Sequence, residues 1–416
     1  MVSKLFPIYP ERCIFRVPDA LRHGNEEFYE PTVLAIGPYH RGKPRLASME
    51  DQKIRNLKEL LNITGDQSVD RFVRAIMPHE EKVRKCYSEP IDYLSSNELV
   101  QMLVLDGCFI IQLFRRYWRW SESSKVSIVD DDPVINSSFL LIELQKDMLL
   151  IENQIPFFII EILFNTIYPR VSIGNELKRL TLVFYYKRLK RYAWTTEDHT
   201  QLFGENVCHL LQIAHMVVCS DFTPATSQSQ TQLNSFVYSA TKLEEANVRL
   251  KTTSKLTRSI FDITFRKGEL EIPGFNIDDD SEVEIRNFIA FELCQRPSNK
   301  RFFSHYVIFM DHLIASSDDV DLLTRRGIFN NQMIEAKSVD NMLSKLTRNI
   351  ISSNYYTYNN ISKDLNEYCE RPWNKWSANL KQKYFNTPWA IISFIAALVL
   401  LGLTITQTLF SIISYK

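Results

Sequence analysis

The sequence predicts a mainly α protein: a multi-helix globular body with a small β-hairpin element and one C-terminal transmembrane helix. Three observations carry that prediction. Apolar residues recur at helical spacing through most of the long segments. Glycine is scarce, 11 in 416 residues, while 16 prolines punctuate the chain, a balance that leaves few tight turns and many helix boundaries. The stretch Pro388 to Ser414, PWAIISFIAALVLLGLTITQTLFSIIS, lies in an interval with no charged side chain between Lys383 and Lys416.

The body is large enough for one core or two lobes. Its 45% hydrophobic and 24% charged content excludes a disordered chain. Lys plus Arg (49) equals Asp plus Glu (49), so no global field recruits nucleic acid, and no nucleic-acid partner is expected. The seven cysteines never form a CxxC pair and read as reduced, mostly buried thiols. The N-terminal MVSKLFPIYPERCIF lacks the apolar core of a signal peptide. Sequons at Asn62, Asn136 and Asn360 occur at chance frequency and carry no weight.

Taken in order, the first sixty residues hold extended, proline-marked segments, CIFRVPDAL and FYEPTVLAIGPYH. The Gly37-Pro38 pair predicts a turn with Tyr39 and His40 at its exit, His40 making a turn-fixing hydrogen bond. A helix follows from Met49 to Leu61. Asn97 to Trp120 reads as a buried helix with more than one apolar face, and the buried Asp106 within it needs partners, because an unpaired carboxylate is costly to desolvate. Phe139 to Phe164 is almost continuously apolar, yet Glu143, Lys146, Asp147, Glu152 and Glu161 would each be costly in lipid, which rejects a second span. Pro156 predicts that two helices meet there. Glu152, Asn153, Gln154 and Pro156 are therefore assigned as a structural junction, whose polar groups satisfy main-chain atoms freed by the break.

Glu205 to Cys219 reads as a helix carrying His209 and His215, whose spacing does not place both on one face. Residues 221–232 form a polar linker that separates an N-terminal helical lobe (1–220) from a C-terminal lobe (233–385). Within the second lobe, Asn247 falls at a left-handed helix end, and SIFDITF with ELEIPGF forms a hairpin around Lys267 and Gly268. Ser281 with Glu284 reads as a capping box opening a helix to Gln295. Further helices are expected over FFSHYVIFMDHLIAS, from Asp318 or Asp319 to Gly327, and from Ser338 to Ile350. His305, His312 and Asp311 are polar positions on an amphipathic helix, and no metal site is assigned to them.

The last segment, 388–414, is long enough to cross a bilayer. From Trp389 through Leu400 to Ile413 it offers about 25 residues, roughly 37 Å as a helix, with Trp389 and Tyr415 at interfacial positions. Arg371, Lys375, Lys381 and Lys383 precede the span and only Lys416 follows it, which favours a cytosol-facing body.

No GxGxxG, Walker loop, GxSxG, HExxH or zinc-type cysteine spacing occurs, so no catalytic, cofactor-binding or metal residues are assigned and no cofactor is expected. The segments IFRVP, YEPTVLAIGPYH, LDGCFIIQLF, DMLLIENQIPFF, ATKLEEANVRL, FDITFRKGELEIP, RNFIAFELCQ, YVIFMDHLI and YFNTPWAIISF resemble, in order and nearly end to end, the plant family called domain of unknown function 247, or UPF0481-like proteins. The resemblance implies a plant protein with a mainly helical body, a C-terminal span and no established enzymatic activity. Some grass members of that family look like pollen-side determinants of self-incompatibility, a role that no motif carries onto this chain. Two places depart from the family pattern: Asn247 stands where a glycine is usual, and NNQMIEAKSV lacks the usual Gly-containing turn. The expected function is a single-pass, membrane-anchored recognition or signalling protein of the plasma membrane or endomembranes, whose partners are the lipid bilayer and an unidentified protein. The alternative is a membrane-bound enzyme acting on a lipid or hydrophobic substrate through Asp106, His40 or Glu152.

Overall fold

The computed structural model describes residues 10–123, 133–169, 175–192, 207–220, 222, 238–253, 259–295, 301–331, 336–348, 350, 355–372, 374, 376 and 388–414. The 221–232 linker falls outside them apart from Phe222, as do residues 332–335 of the NNQMIEAKSV stretch.

The regular structure described in the N-terminal half is helical. An irregular segment with short helical turns at Asp19–Arg22, Glu26–Tyr29 and Pro44–Leu46 leads to α1 (Ala47–Thr64), α2 (Asp70–Ile76), α3 (Glu80–Cys86) and the long α4 (Ser96–Ser123). After these come α5 (Ser138–Asp147), α6 (Phe157–Ile167), α7 (Glu176–Leu189) and α8 (Leu210–Cys219). Helix α4 is the axis: α1, α2, α6 and α7 all pack on it, as its apolar residues on several faces require. Its Gly107 lets the Leu163 side chain of α6 sit against the backbone, where a Cβ would collide with Leu163 Cδ1. The α8 helix begins later than the sequence suggests. Residues 207–209 are not helical, because the His209 ring caps the helix by accepting from the Gln212 amide at 3.2 Å.

The second half mixes short helices with two small sheets. Helix α9 (Ala240–Glu245) ends at Asn247, whose φ of +63° is the left-handed conformation that asparagine tolerates. Strands β1 (Arg249–Thr253), β2 (Thr264–Arg266) and β3 (Glu269–Pro273) form a sheet in the order β1-β3-β2. The β2–β3 hairpin turns at Lys267 (φ +51°) and Gly268 (φ +81°), a pair of left-handed residues whose twist suits a two-residue turn. Strand β1 runs parallel to β3, with Arg249 opposite Glu269. Beyond it, β4 (Phe275–Ile277) pairs in parallel with β5 (Phe329–Asn331). Helices α10 (Asp279–Cys294), α11 (Phe302–Leu313), α12 (Ser317–Arg325), α13 (Ala336–Thr347) and α14 (Asn359–Cys369) complete the body. Helix α15 (Pro388–Ser414) follows.

The start of α10 corrects the capping assignment. Asp278 is the N-cap and Ser281 its reciprocal partner, so the helix opens three residues before the Ser281–Glu284 reading. Glu284 is instead buried, accepting from the Tyr192 hydroxyl at 2.7 Å and pairing with the Arg188 guanidinium. Tyr192, at the end of the first half, stacks on Phe275 and meets Phe288 and Phe303 edge-on. One hydrophobic cluster accordingly runs from Ile14 to Cys369, through residues on both sides of 221–232.

Candidate functional site at the helix junction

Between α5 and α6 the chain makes no regular structure from Met148 to Pro156, and its main-chain groups need partners. The side chains of the same stretch supply them. Gln154 Nε2 donates to the carbonyls of Met148 and Leu150, both at 2.8 Å, and its Oε1 accepts from the Leu210 amide at 3.1 Å. Asn153 Nδ2 donates to the carbonyls of Leu34 (2.8 Å) and Asp147 (2.9 Å), while Oδ1 accepts from Ile36 N at 2.6 Å. Pro156 is the N-cap of α6, and the next amide, Phe157 N, is taken up by the Cys208 carbonyl at 2.7 Å.

The junction also holds down a distant segment. Residues 32–40, TVLAIGPYH, lie across it as an irregular strap. Asp147 Oδ2 accepts from Val33 N (2.7 Å) and Leu34 N (2.8 Å), and Oδ1 from Thr32 N (2.9 Å). Burial still pushes the Asp147 carboxyl above its ordinary pKa, against these three amides. Asp106 of α4 accepts from Gly37 N at 2.8 Å and from Lys53 Nζ at 2.6 Å, and the same ammonium reaches the Ala35 carbonyl at 2.5 Å. Asp106 is thus paired by a lysine on α1, 53 residues earlier in the chain, rather than by an arginine on its own helix. Gly37 has φ +73°, and a Cβ there would press on the Gln154 carbonyl oxygen, to which Tyr87 Oη donates at 3.1 Å.

Glu152 gathers the charges. Its carboxylate is fully buried, accepts from Val17 N at 2.7 Å and contacts Arg16 Nη1 (3.2 Å) and Arg22 Nη2 (2.5 Å). Arg16 reaches solvent, lies over the Tyr39 ring at 4.1 Å and pairs with Glu89 at 3.3 Å. His40 does not make the turn-fixing hydrogen bond expected of it: among the described residues neither ring nitrogen has a hydrogen-bond partner, and Nε2 stands 3.6 Å from Glu152 Oε2. Burial, with Lys43, Arg16, Arg22 and Arg45 around it, pushes the imidazole down to about 3 and keeps it neutral.

His209, His215 and His305 sit elsewhere. The His209 ring carries its proton on Nε2, because Nδ1 accepts the Gln212 amide while Nε2 donates to the Cys13 carbonyl at 3.1 Å; burial pushes its pKa down to about 4. His215 Nε2 lies 3.0 Å from Glu292, whose carboxylate also receives Phe303 N and Ser304 N, both at 2.9 Å, and so caps α11 from a neighbouring helix. His305 Nδ1 meets Thr357 Oγ1 at 2.7 Å, whereas Asp311 accepts from Ser344 and Thr347 of α13. Among the described residues no three His, Cys, Asp or Glu side chains are placed to hold a metal ion. The strap's attachment to Asp147, Asn153 and Asp106 is what sequence reading misses; its one signal is that two proline-marked, irregular apolar stretches both need external partners.

Fold and junction define a class: a mainly helical body in which a buried Glu-Asn-Gln corner clamps an N-terminal strap, followed by an apolar C-terminal helix. The family described as plant protein of unknown function, domain of unknown function 247, matches residues 14–403, and the chain belongs to that family. The chain is 27% identical over 423 residues to UPF0481 protein At3g47200 of Arabidopsis thaliana, covering 97% of this chain and 87% of that one. It is 21% identical over 493 residues to the putative UPF0481 protein At3g02645 of the same plant, covering 96% and 90%. No solved structure matches.

Proposed function

We propose that this chain is a membrane-anchored protein whose body recognises another protein, a recognition or signalling component rather than an enzyme. The observation that carries the reading is the helix segment Ile392–Ile413, with mean hydropathy 2.0 and none of it buried against the body. A helix this long and apolar, with none of that window buried, is stabilised by transfer into hydrocarbon at roughly 25 cal/mol per Å² of apolar surface. The other described helix long and apolar enough to cross a membrane, Ser96–Glu122, has a lower mean hydropathy of 1.4 and is 78% buried over its most apolar window, finding its apolar surroundings in the body. In α15 the hydroxyls of Thr404, Thr406 and Thr408 bond back to the carbonyls four residues earlier, at 2.8, 2.5 and 2.7 Å, so they enter lipid already paired.

The polar groups of the junction support recognition over catalysis. Asp106, Asp147, Asn153 and Gln154 are engaged with main-chain atoms or Lys53, and His40 and Glu152 are 1% and 0% exposed, out of reach of a substrate in this state. The basic residues ahead of the span favour a body on the cytosolic side. The test is proximity labelling in plant cells followed by binding of the purified candidate to the full chain. Recovery of no protein partner, together with a turnover abolished by a single change at Asp106, His40 or Glu152, would replace this reading with a membrane-bound enzyme. Sidedness is read by glycosidase treatment: a mass shift that vanishes when Asn62, Asn136 and Asn360 become Gln places the body outside the cytosol.

A further inference from the structure

Three cysteines far apart in the sequence converge in space. Cys13 N donates to the Cys86 carbonyl at 2.9 Å, and Ile14 pairs with Tyr87 in a parallel bridge, so the N-terminal segment lies along the end of α3. On its other side the Cys13 carbonyl accepts from His209 Nε2 at 3.1 Å, which brings the neighbouring Cys208 alongside. The same contacts place the Cys13 thiol beside those of Cys208 and Cys86, close enough for the three to interact. Cys208 is itself held at both ends, its amide donating to Gln212 Oε1 at 2.6 Å and its carbonyl accepting from Phe157 N at 2.7 Å.

We propose that Cys13 and Cys208 are a thiol pair that a hydroperoxide oxidises to an intramolecular disulfide, fastening the N-terminal segment to the start of α8. Accessibility and contacts choose this pair among the three. Cys13 and Cys208 are both half-buried, open enough for a small oxidant, whereas Cys86 is buried and its thiol is directed to the Lys82 carbonyl at 3.3 Å. The fold also assigns roles. Cys208 directly precedes His209, the N-cap of α8, where the helix N-terminus favours a thiolate, so Cys208 is the sulfur that attacks. The hydrogen bond from Cys13 acts in the same direction, lowering the Cys208 pKa.

The step balances as follows. The Cys208 thiolate attacks one oxygen of the peroxide bond, the O–O bond breaks, and the alkoxide or hydroxide takes up the proton that Cys208 lost. Cys208 is left as a sulfenic acid. The Cys13 sulfur then attacks the sulfenic sulfur, the S–O bond breaks, and the departing hydroxide leaves as water with the Cys13 proton. Two electrons pass from two thiols to the peroxide, giving one disulfide, one alcohol or water, and one water. Such a bond closes a long loop and constrains the unfolded chain.

The experiment treats the reduced full chain, in detergent micelles, with hydrogen peroxide, alkylates the remaining thiols and maps the peptides by mass spectrometry. The expected product is a Cys13–Cys208 linked peptide that has lost two hydrogens, is reversed by dithiothreitol and raises Tm relative to the reduced chain. With Cys13→Ser, dimedone should trap Cys208 as a sulfenic acid; with Cys208→Ser, Cys13 should remain an alkylatable thiol. The wild-type peptide map decides even if a variant fails to fold. A Cys13–Cys86 link, an intermolecular link, or over-oxidation without any link would each overturn the proposal.

Discussion

Replacing Asn153 with Ala probes the clamp that holds the strap to the helix junction. Three main-chain groups lose their partner: Ile36 N at 2.6 Å, Leu34 O at 2.8 Å and Asp147 O at 2.9 Å. Asn153 is fully buried, so water does not replace them in the folded state. The orphaned amide of Ile36 costs about 1–3 kcal/mol and each carbonyl roughly 1 kcal/mol or less, since carbonyl oxygens have a second lone pair and Asp147 O keeps the Leu150 amide at 3.3 Å. The expected loss is about 3–4 kcal/mol, a large share of the roughly 5–15 kcal/mol that holds a typical domain folded. Asn153→Asp sharpens the test. It preserves the acceptor for Ile36 N but turns a carboxylate oxygen toward two carbonyl oxygens, so at neutral pH it should cost at least as much as Ala. The buried acid would have a raised pKa, and its variant should recover relative to Ala as the pH falls and the protonated oxygen becomes a donor. Urea unfolding of the full chain in micelles reads the loss, with the exposed Asn341→Ala as a control within about 0.5 kcal/mol of wild type. Hydrogen exchange over residues 32–40 should accelerate before global unfolding. An Asn153→Ala loss no larger than that of the control, or an Asp variant more stable than Ala at pH 7, would refute the clamp.

Gly37→Ala should cost on the order of 3 kcal/mol, from the left-handed backbone and from a Cβ pressed on the Gln154 carbonyl that Tyr87 binds; Gly24→Ala, also left-handed at φ +72° but with nothing within 4 Å, should cost only the backbone part, about 1–2 kcal/mol. Equal shifts in Tm would show that the close approach at Gly37 is immaterial. Because His209 titrates near 4 when folded and near 6.5 when unfolded, the unfolded chain binds more protons between those values. Stability should therefore fall as the pH drops from about 6.5 toward 4, by up to roughly 3 kcal/mol for this residue at ~1.4 kcal/mol per unit. His209→Gln should flatten the slope of urea midpoint against pH in that window by about one proton. Leu400→Arg should weaken membrane insertion by ~3 kcal/mol, or less where the side chain snorkels. Deleting Pro388 to Lys416 should release a folded body from carbonate-washed membranes, and a truncated chain that still pellets contradicts a single anchor.

Local chemistry was enough to determine much of this chain. The break at Pro156, the left-handed Asn247, the hairpin at Lys267-Gly268 and the apolar helix of Leu400 were all legible, because each depends on a residue's own conformational limits or on a hydrophobic period within a few turns. Boundaries set by a side chain folding back were not. His209 caps α8 and Asp278 caps α10, and each shifts a helix start by several residues from where periodicity places it. Tertiary structure alone decided which distant groups met. Asp147 took the amides of the strap, Lys53 took Asp106, Glu292 capped a helix it does not belong to, and Cys13 came to rest between Cys86 and Cys208. The strap's amides must be paired by something once they are out of water, but any buried carboxylate or amide could do so, and sequence spacing does not rank such partners. What ranks them is the packing of α4 against its neighbouring helices, which fixes the few positions from which a side chain can reach.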